Sequence, residues 1–241
     1  MPALASASII DSARAGWETW RASRLAAVTS PTGNLALVET RWLPPGTDVS
    51  LEEALDGRPA GVTATRLERR HIGTGEPERG IRLWDADSPA IRHFDTIEAF
   101  PFAPEWVVEA TFTPVSEARA VPFEHIRDDG GTRDLVVPGD ITFTLNGVAR
   151  NLSAFDDDGT LLLVFGDPTN GSVTYGGGRF LQVPRDPGAR TVVLDFNRAY
   201  VPPCGFSVHY NCPLPPAQNR FDVPVEAGEK LPVFTGGFLP H

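Results

Sequence analysis

ITFTLNGVARNLSAF, residues 141–155, decides the fold class. Two β-rich runs flank Asn146-Gly147, and that dipeptide suits a two-residue hairpin, whose turn needs positive φ at both central positions. Working outward, WVVEATFTPV (106–115) alternates, with Trp106, Val108, Ala110 and Phe112 on one face and Glu109, Thr111 and Thr113 on the other. That is the pattern of a half-buried strand. AVPFEHIR (120–127) reads as another strand, pushed toward an edge by Pro122. Asp158-Gly159 turns the chain into TLLLVFGD (160–167), apolar enough to be buried on both faces. RFLQVP (179–184) and TVVLDFN (191–197) read as strands paired across the turn RDPGA (185–189).

Toward the amino terminus, NLALVETRWL (34–43), VTATRLERR (62–70), RGIRLWD (79–85) and the segment around RHF (92–94) supply further strands, while SLEEAL (50–55) makes one helical turn. The one good helical period covers residues 9–28, where Ile10, Ala13, Trp17, Trp20, Arg24 and Val28 share a stripe. Asp11 or Ser12 is placed to cap it, and the two tryptophans are expected to dock it on a sheet. About eleven short strands after one helix, without alternating βα units, predict an all-β barrel-like or sandwich domain with an N-terminal α-helix. The expected organisation is a helical arm over 1–30 and a single β-rich domain over 31–241.

Composition agrees. The 23 glycines and 23 prolines favour short strands with tight connections over long helices. The net charge of −10, without an uninterrupted basic run, argues against nucleic acid and anionic membrane as partners. The first residues carry no basic start and no long apolar stretch, so no secretory signal is expected. Two cysteines and no membrane-length apolar run suit a cytoplasmic protein.

Chemistry concentrates in the last quarter, in TYGGGRFLQV (174–183), DFNRAYVPPC (195–204) and YNCPLPPAQNRFDVPVEAGEK (210–230). Strand alternation would put Asp195 and Asn197 on one face and Phe196 and Arg198 on the other. Arg198 beside the core then needs an anion, with Glu229 the candidate. Either the pair clamps the C-terminal segment, or the guanidinium orients a ligand carboxylate or carbonyl. The triple glycine lacks the lysine and Ser/Thr of a phosphate loop, so it reads as a turn needing positive φ, with Tyr175 and Arg179 on either side. Three prolines in PLPPAQNR stiffen a strap that presents Asn219 and Arg220, and VEAGEK turns at Gly228 to present Glu229 and Lys230. Cys204, His209 and Cys212 offer a weak zinc set whose spacing matches no recognised knuckle, and a redox pair or two packed thiols are the other readings.

At these blocks the chain resembles a bacterial family known only as an uncharacterised domain, domain of unknown function 1684. The resemblance runs through Trp20 and Arg24, Trp42-Leu43, IRLWDADSP, FPFAPEWVVEATFTP, PGDITFTLNG and FGDPTNGSVTYGGGRFL, and is strongest in LDFNRAYVPPC, YNCPLPPAQNR and VEAGEK. The family pattern has asparagine before the proline pair where Val201 stands here. The resemblance implies one β-rich domain and supplies no activity.

The functional expectation is a small-molecule-binding β-barrel, acting as a cofactor-independent enzyme of hydrolase, isomerase or cyclase type. Tyr175, Asp195 and Glu229 are the candidate catalytic groups. Arg179, Asn197, Arg198, Asn219 and Lys230 are the candidate substrate-binding groups. The alternatives are a small-ligand carrier and a purely structural polar cluster.

Overall fold

The structure is a computed structural model that describes residues 5–71, 74–128, 131–157 and 159–240. In chain order its elements are α1 (Ala7–Val28), β1 (Leu37–Trp42), α2 (Leu51–Leu55), β2 (Val62–Arg70), β3 (Pro77–Asp85), α3 (Pro89–His93) and β4 (Phe94–Ala99). Then follow β5 (Val107–Glu124), β6 (Thr132–Leu145), β7 (Val148–Asp157), β8 (Thr160–Phe165), β9 (Arg179–Val183), β10 (Thr191–Asp195) and β11 (Glu229–Phe234). The fold is mainly β with an N-terminal helix, and its largest sheet is a curled half-barrel.

Backbone contacts gather into two compact units. One comprises Met1–Arg21, Ile97–Pro202 and Cys212–Leu231; the other comprises Ala22–Thr96, Pro203–Asn211 and Pro232–His241. The sequence reading drew a helical arm over 1–30 and one β-rich domain over 31–241. The unit boundaries fall inside α1, β4 and β11 and in the loops at 202–203 and 211–212.

The first unit holds the six-stranded antiparallel sheet, ordered β10-β5-β6-β7-β8-β9. The expected hairpin is present: Leu145 pairs with Val148 across Asn146 (φ 52°) and Gly147 (φ 79°). Trp106, Val108, Ala110 and Phe112 all enter the core, and Leu161–Phe165 of β8 are buried throughout. AVPFEHIR is no separate strand. β5 continues through it after a register shift between Pro114 and Arg119, the way a bulge absorbs extra residues. Pro122 pairs only with β6 there, because the pairing of β10 with β5 reaches no further along β5 than Thr111, opposite Thr191. Asp158 of the expected turn lies outside the described residues; Gly159 has φ 86° and β8 begins at Thr160.

One expectation fails. β9 and β10 do not form a hairpin, although a short turn joins them. They are the opposite edges of the sheet. The curl returns one edge toward the other, and a single isolated bridge beyond the end of β10 joins them, with Phe180 and Tyr200 exchanging hydrogen bonds of 3.0 and 2.8 Å. A short connection therefore misleads here, because closure of the curl, not a ladder, brings the strands near each other.

α1 starts at Ala7, ahead of the expected Asp11 or Ser12 cap, with the amides of Ile9 and Ile10 on the Ser6 carbonyl. Ile9, Ile10 and Ala13 pack on Phe102, Val107 and Val193, and the Trp17 indole donates to the Asn197 carbonyl at 3.3 Å. The docking expected of its apolar stripe is thus what the structure shows for this part of the helix.

The second unit contains the antiparallel sheet β1-β3-β2, with Ile81 and Leu83 of β3 packed on Ala54 of α2. α2 carries a capping box in which Ser50 and Glu53 satisfy each other's amides. PAIRH at 89–93 folds as helix before the strand expected around RHF, because Ser88 caps it and Pro89 occupies its first turn. β4 and β11 pair as a two-stranded ribbon.

At Gly147 an added Cβ meets nothing within 4 Å, so only φ opposes a side chain. Gly147→Val should cost about 1–2 kcal/mol. A urea melt would show it as a lower midpoint with an unchanged slope.

Candidate functional site

The sheet edges β9 and β10 leave a seam, and the first turns of α1 lie across it. Between them is a cavity of about 440 Å³. Asp195, Arg198, Tyr200, Gln182, Ser12 and Trp20 supply its polar and aromatic lining, and Ile9, Leu181 and Val193 its apolar floor.

Local backbone explains the arrangement at Asp195. β10 ends there, and Phe196–Arg198 form a 3₁₀ turn. The strand alternation expected for 195–198 therefore breaks. In a 3₁₀ turn residues i and i+3 eclipse, so Asp195 and Arg198 share a side while Phe196 and Asn197 are buried. Asp195 Oδ1 accepts from the Asn197 amide N–H at 3.2 Å and from its Nδ2 at 3.0 Å. Oδ2 lies 3.2 Å from Arg198 Nε. Burial holds the Asp195 carboxyl above the usual carboxylate range, against the opposing pull of Asn197 and Arg198. The Arg198 guanidinium reaches α1 at Gly16, where a Cβ would meet its Nη2 at 2.7 Å.

The remaining expected site residues lie elsewhere. The C-terminal clamp is real, but Arg198 and Glu229 do not form it. Arg179, fully buried, pairs with the equally buried Asp167 at 2.7 Å and donates to the carbonyls of Val225 and Ala227. Burial lowers the Arg179 pKa, and Asp167 and then Glu229 oppose this. Glu229 accepts the Val201 amide at 2.7 Å and is itself buried. Asn197 pairs with both the N–H and the C=O of Ala103, at 2.8 and 3.0 Å. Asn219 does the same with Ser153, at 2.9 and 2.7 Å, and adds the Val164 carbonyl. Lys230 lies over the Phe100 ring at 4.7 Å. Tyr175 borders the glycine turn, its carbonyl accepting from Gly178, whose φ is 89°. Arg179, Asn197, Asn219 and Glu229 are thus bound into the fold, and of the expected set Asp195 and Arg198 are the two that line the cavity.

Cys204 and Cys212 are buried thiols. Among the described residues no three His, Cys, Asp or Glu side chains gather where they could hold a metal ion, so Cys204, His209 and Cys212 are not a ligand set. No helix among the described residues is long and apolar enough to cross a membrane.

Sequence reasoning missed Ser12, Trp20, Gln182 and Tyr200. Trp20 was visible only as a docking residue on the α1 stripe. Asp167, at the end of TLLLVFGD, carried one available signal: an acidic residue closing an otherwise apolar strand needs a buried partner.

Fold and cavity define a mainly-β half-barrel protein with an N-terminal helix laid over its seam. The family described as "Protein of unknown function (DUF1684)" matches residues 92–230, and the chain belongs to it. The chain is also similar to an uncharacterized protein of Haloarcula marismortui, known from a solution NMR structure. Identity is 27% and the TM-score 0.54, over 91% of this chain and 97% of that one. No curated protein matches.

The two arginines should separate in stability measurements. Arg179→Met strands a fully buried carboxylate and should cost about 3–5 kcal/mol, whereas Arg198→Met removes an arginine that is 38% exposed and not hydrogen-bonded to Asp195, and should stay within about 1 kcal/mol. Asp195 gives a pH signature. Its folded pKa is raised, so its contribution to stability is complete below the unfolded value near 3.8 and is lost as pH rises through the folded one. Asp195→Asn should remove that loss, and its denaturation midpoint should gain on the parent as pH rises toward neutrality.

Proposed function

We propose that the chain binds a small organic molecule in the seam cavity and acts on it by acid–base chemistry centred on Asp195. The observation that carries this reading is a carboxyl held above its usual pKa at the wall of an accessible cavity, beside a cation. A carboxyl whose pKa burial raises holds its proton more readily than an exposed one, which suits it to take and return a proton. Arg198 would orient the substrate, and the indole of Trp20 with Leu181 and Val193 would cover its apolar part. Hydrolysis, isomerisation and cyclisation of a small substrate all fit such a group, and none calls on a nucleotide or flavin.

The apolar floor favours a second reading, a carrier that holds the same ligand without turning it over. Two buried thiols and an acidic chain fit a reducing compartment such as the cytoplasm and a partner other than nucleic acid or anionic lipid.

A fragment panel of neutral, cationic and acidic aromatic compounds, followed by amide NMR, tests the site. Shifts should centre on Ser12, Gln182, Val193 and the Trp20 indole. A panel that perturbs only distant residues, or none, removes the seam from consideration. For any binder that is also converted, Asp195→Asn should abolish turnover while leaving binding; unchanged turnover would clear Asp195 of the role.

A further inference from the structure

Resting on the seam reading, the inference concerns which head group the cavity selects. Its donors and acceptors are unequal. Both oxygens of Asp195 are engaged, Oδ1 by two donors of Asn197 and Oδ2 by the ion pair with Arg198. Arg198 is the reverse case. Its Nε is buried with no hydrogen-bond partner, because the 3.2 Å approach to Asp195 is an ion pair without hydrogen-bond alignment. Among the described residues the guanidinium donates no hydrogen bond. Arg179 differs: its Nε is likewise without a partner, but its terminal nitrogens donate to Asp167, Val225 and Ala227.

The other polar groups add donors. Ser8 and Ser12 bring hydroxyls from α1, and Gln182 an amide from β9. Apolar surface from Ile9, Leu181, Val193 and Trp20 covers the rest. A volume of about 440 Å³ suits a molecule of one ring and a short chain. We infer that the seam selects small monocarboxylates with an apolar body, the carboxylate forking onto the terminal nitrogens of Arg198. Planar guanidinium and carboxylate match as a bidentate pair. An amine would meet Arg198 as a like charge. Burial also raises the Asp195 pKa, which weakens the repulsion a second carboxylate would otherwise meet.

Gly16 offers a way to disturb this head group without harming the fold. An added Cβ there meets Nη2 of Arg198 at 2.7 Å, the far end of a flexible side chain, so the arginine gives way. Alanine inside a helix is itself favourable relative to glycine. Gly16→Ala should therefore hold or raise the melting temperature while moving the guanidinium.

The experiment compares 3-phenylpropionate, 3-phenylpropionamide and 3-phenylpropylamine, which differ only in head group, by NMR titration of the full chain. The carboxylate should bind at Ser12, Gln182, Val193 and Trp20 at least roughly 10-fold more tightly than the other two, the scale of charge-assisted hydrogen bonds. Arg198→Gln and Gly16→Ala should each erase that preference. Amide or amine binding at the seam as tightly as the acid would overturn the carboxylate assignment and leave the seam reading standing. A preference that survives both substitutions would overturn it too, by removing Arg198 from the recognition. If none of the three probes shifts the seam signals, the seam reading falls and takes this inference with it.

Discussion

The buried ion pair of Arg179 and Asp167 carries the organisation of the C-terminal motifs. Both side chains are sealed from solvent, where an unpaired charge would be far too costly to keep. Their lone pairs and donors are correspondingly well used. Asp167 Oδ1 accepts from the Thr169 amide at 2.9 Å, from its hydroxyl at 2.6 Å and from the Val225 amide at 3.3 Å. Arg179 takes Asp167 Oδ2 and two carbonyls of the 225–227 segment, and stacks over Phe165 at 5.2 Å. An irregular strap is thereby fixed against β8 and β9. Once Val225 and Ala227 are fixed, Gly228 fits against Ala199 and Phe196, where a Cβ would strike the Ala199 carbonyl at 2.5 Å. Glu229 then reaches the Val201 amide. The 195–201 segment, and the wall of the cavity with it, inherits its position from a pair it never touches.

Amide side chains extend the same logic. Asn197 and Asn219 each present a donor and an acceptor to both backbone polar groups of one residue, Ala103 and Ser153 respectively. An asparagine can therefore imitate a strand partner where the chain itself has left the sheet. This accounts for the density of charge, amide and proline in the last quarter of the sequence. Segments without a ladder still carry backbone polar groups that must be satisfied when buried, and side chains do that work here. Four of the eight expected catalytic and binding groups, Arg179, Asn197, Asn219 and Glu229, bond to backbone in this way.

How far the sequence was legible follows the range of the interaction. The turn at Asn146-Gly147 and the capping box of α2 are set by residues within a few positions of one another, and both were readable or nearly so. The alternation of β5 and the stripe of α1 were readable because burial repeats with the element's own period. The β9–β10 relation was not, because the curl of a six-stranded sheet decides it and no local pattern encodes curl. Nor was the 3₁₀ turn at 196–198, which brought Arg198 to Asp195 instead of Glu229. Two of the named candidates, Asp195 and Arg198, reached the cavity. Ser12, Trp20, Gln182 and Tyr200 come from three separate segments, and all four are neutral side chains. Only the fold distinguishes them from any other surface residue.

Two of the aspartate–arginine pairs in this unit differ chiefly in their access to solvent, and solvent decides the consequence. At Arg179 and Asp167, water is absent, the partners are fixed, and exchanging either for a ligand would expose an unpaired charge. At Arg198 and Asp195, the arginine is 38% exposed and joined to its partner by a poorly aligned contact, so the cost of redirecting it is small. A half-barrel that fails to close must leave its edge strands somewhere. Here the edges meet at one bridge, between Phe180 and Tyr200, and α1 covers part of the rest. The opening that remains is where the unit keeps its one adjustable pair of the two. A sealed pair supplies shape, and the partly open one, at the seam that the sheet geometry leaves unfilled, is the pair whose contacts can be exchanged at small cost.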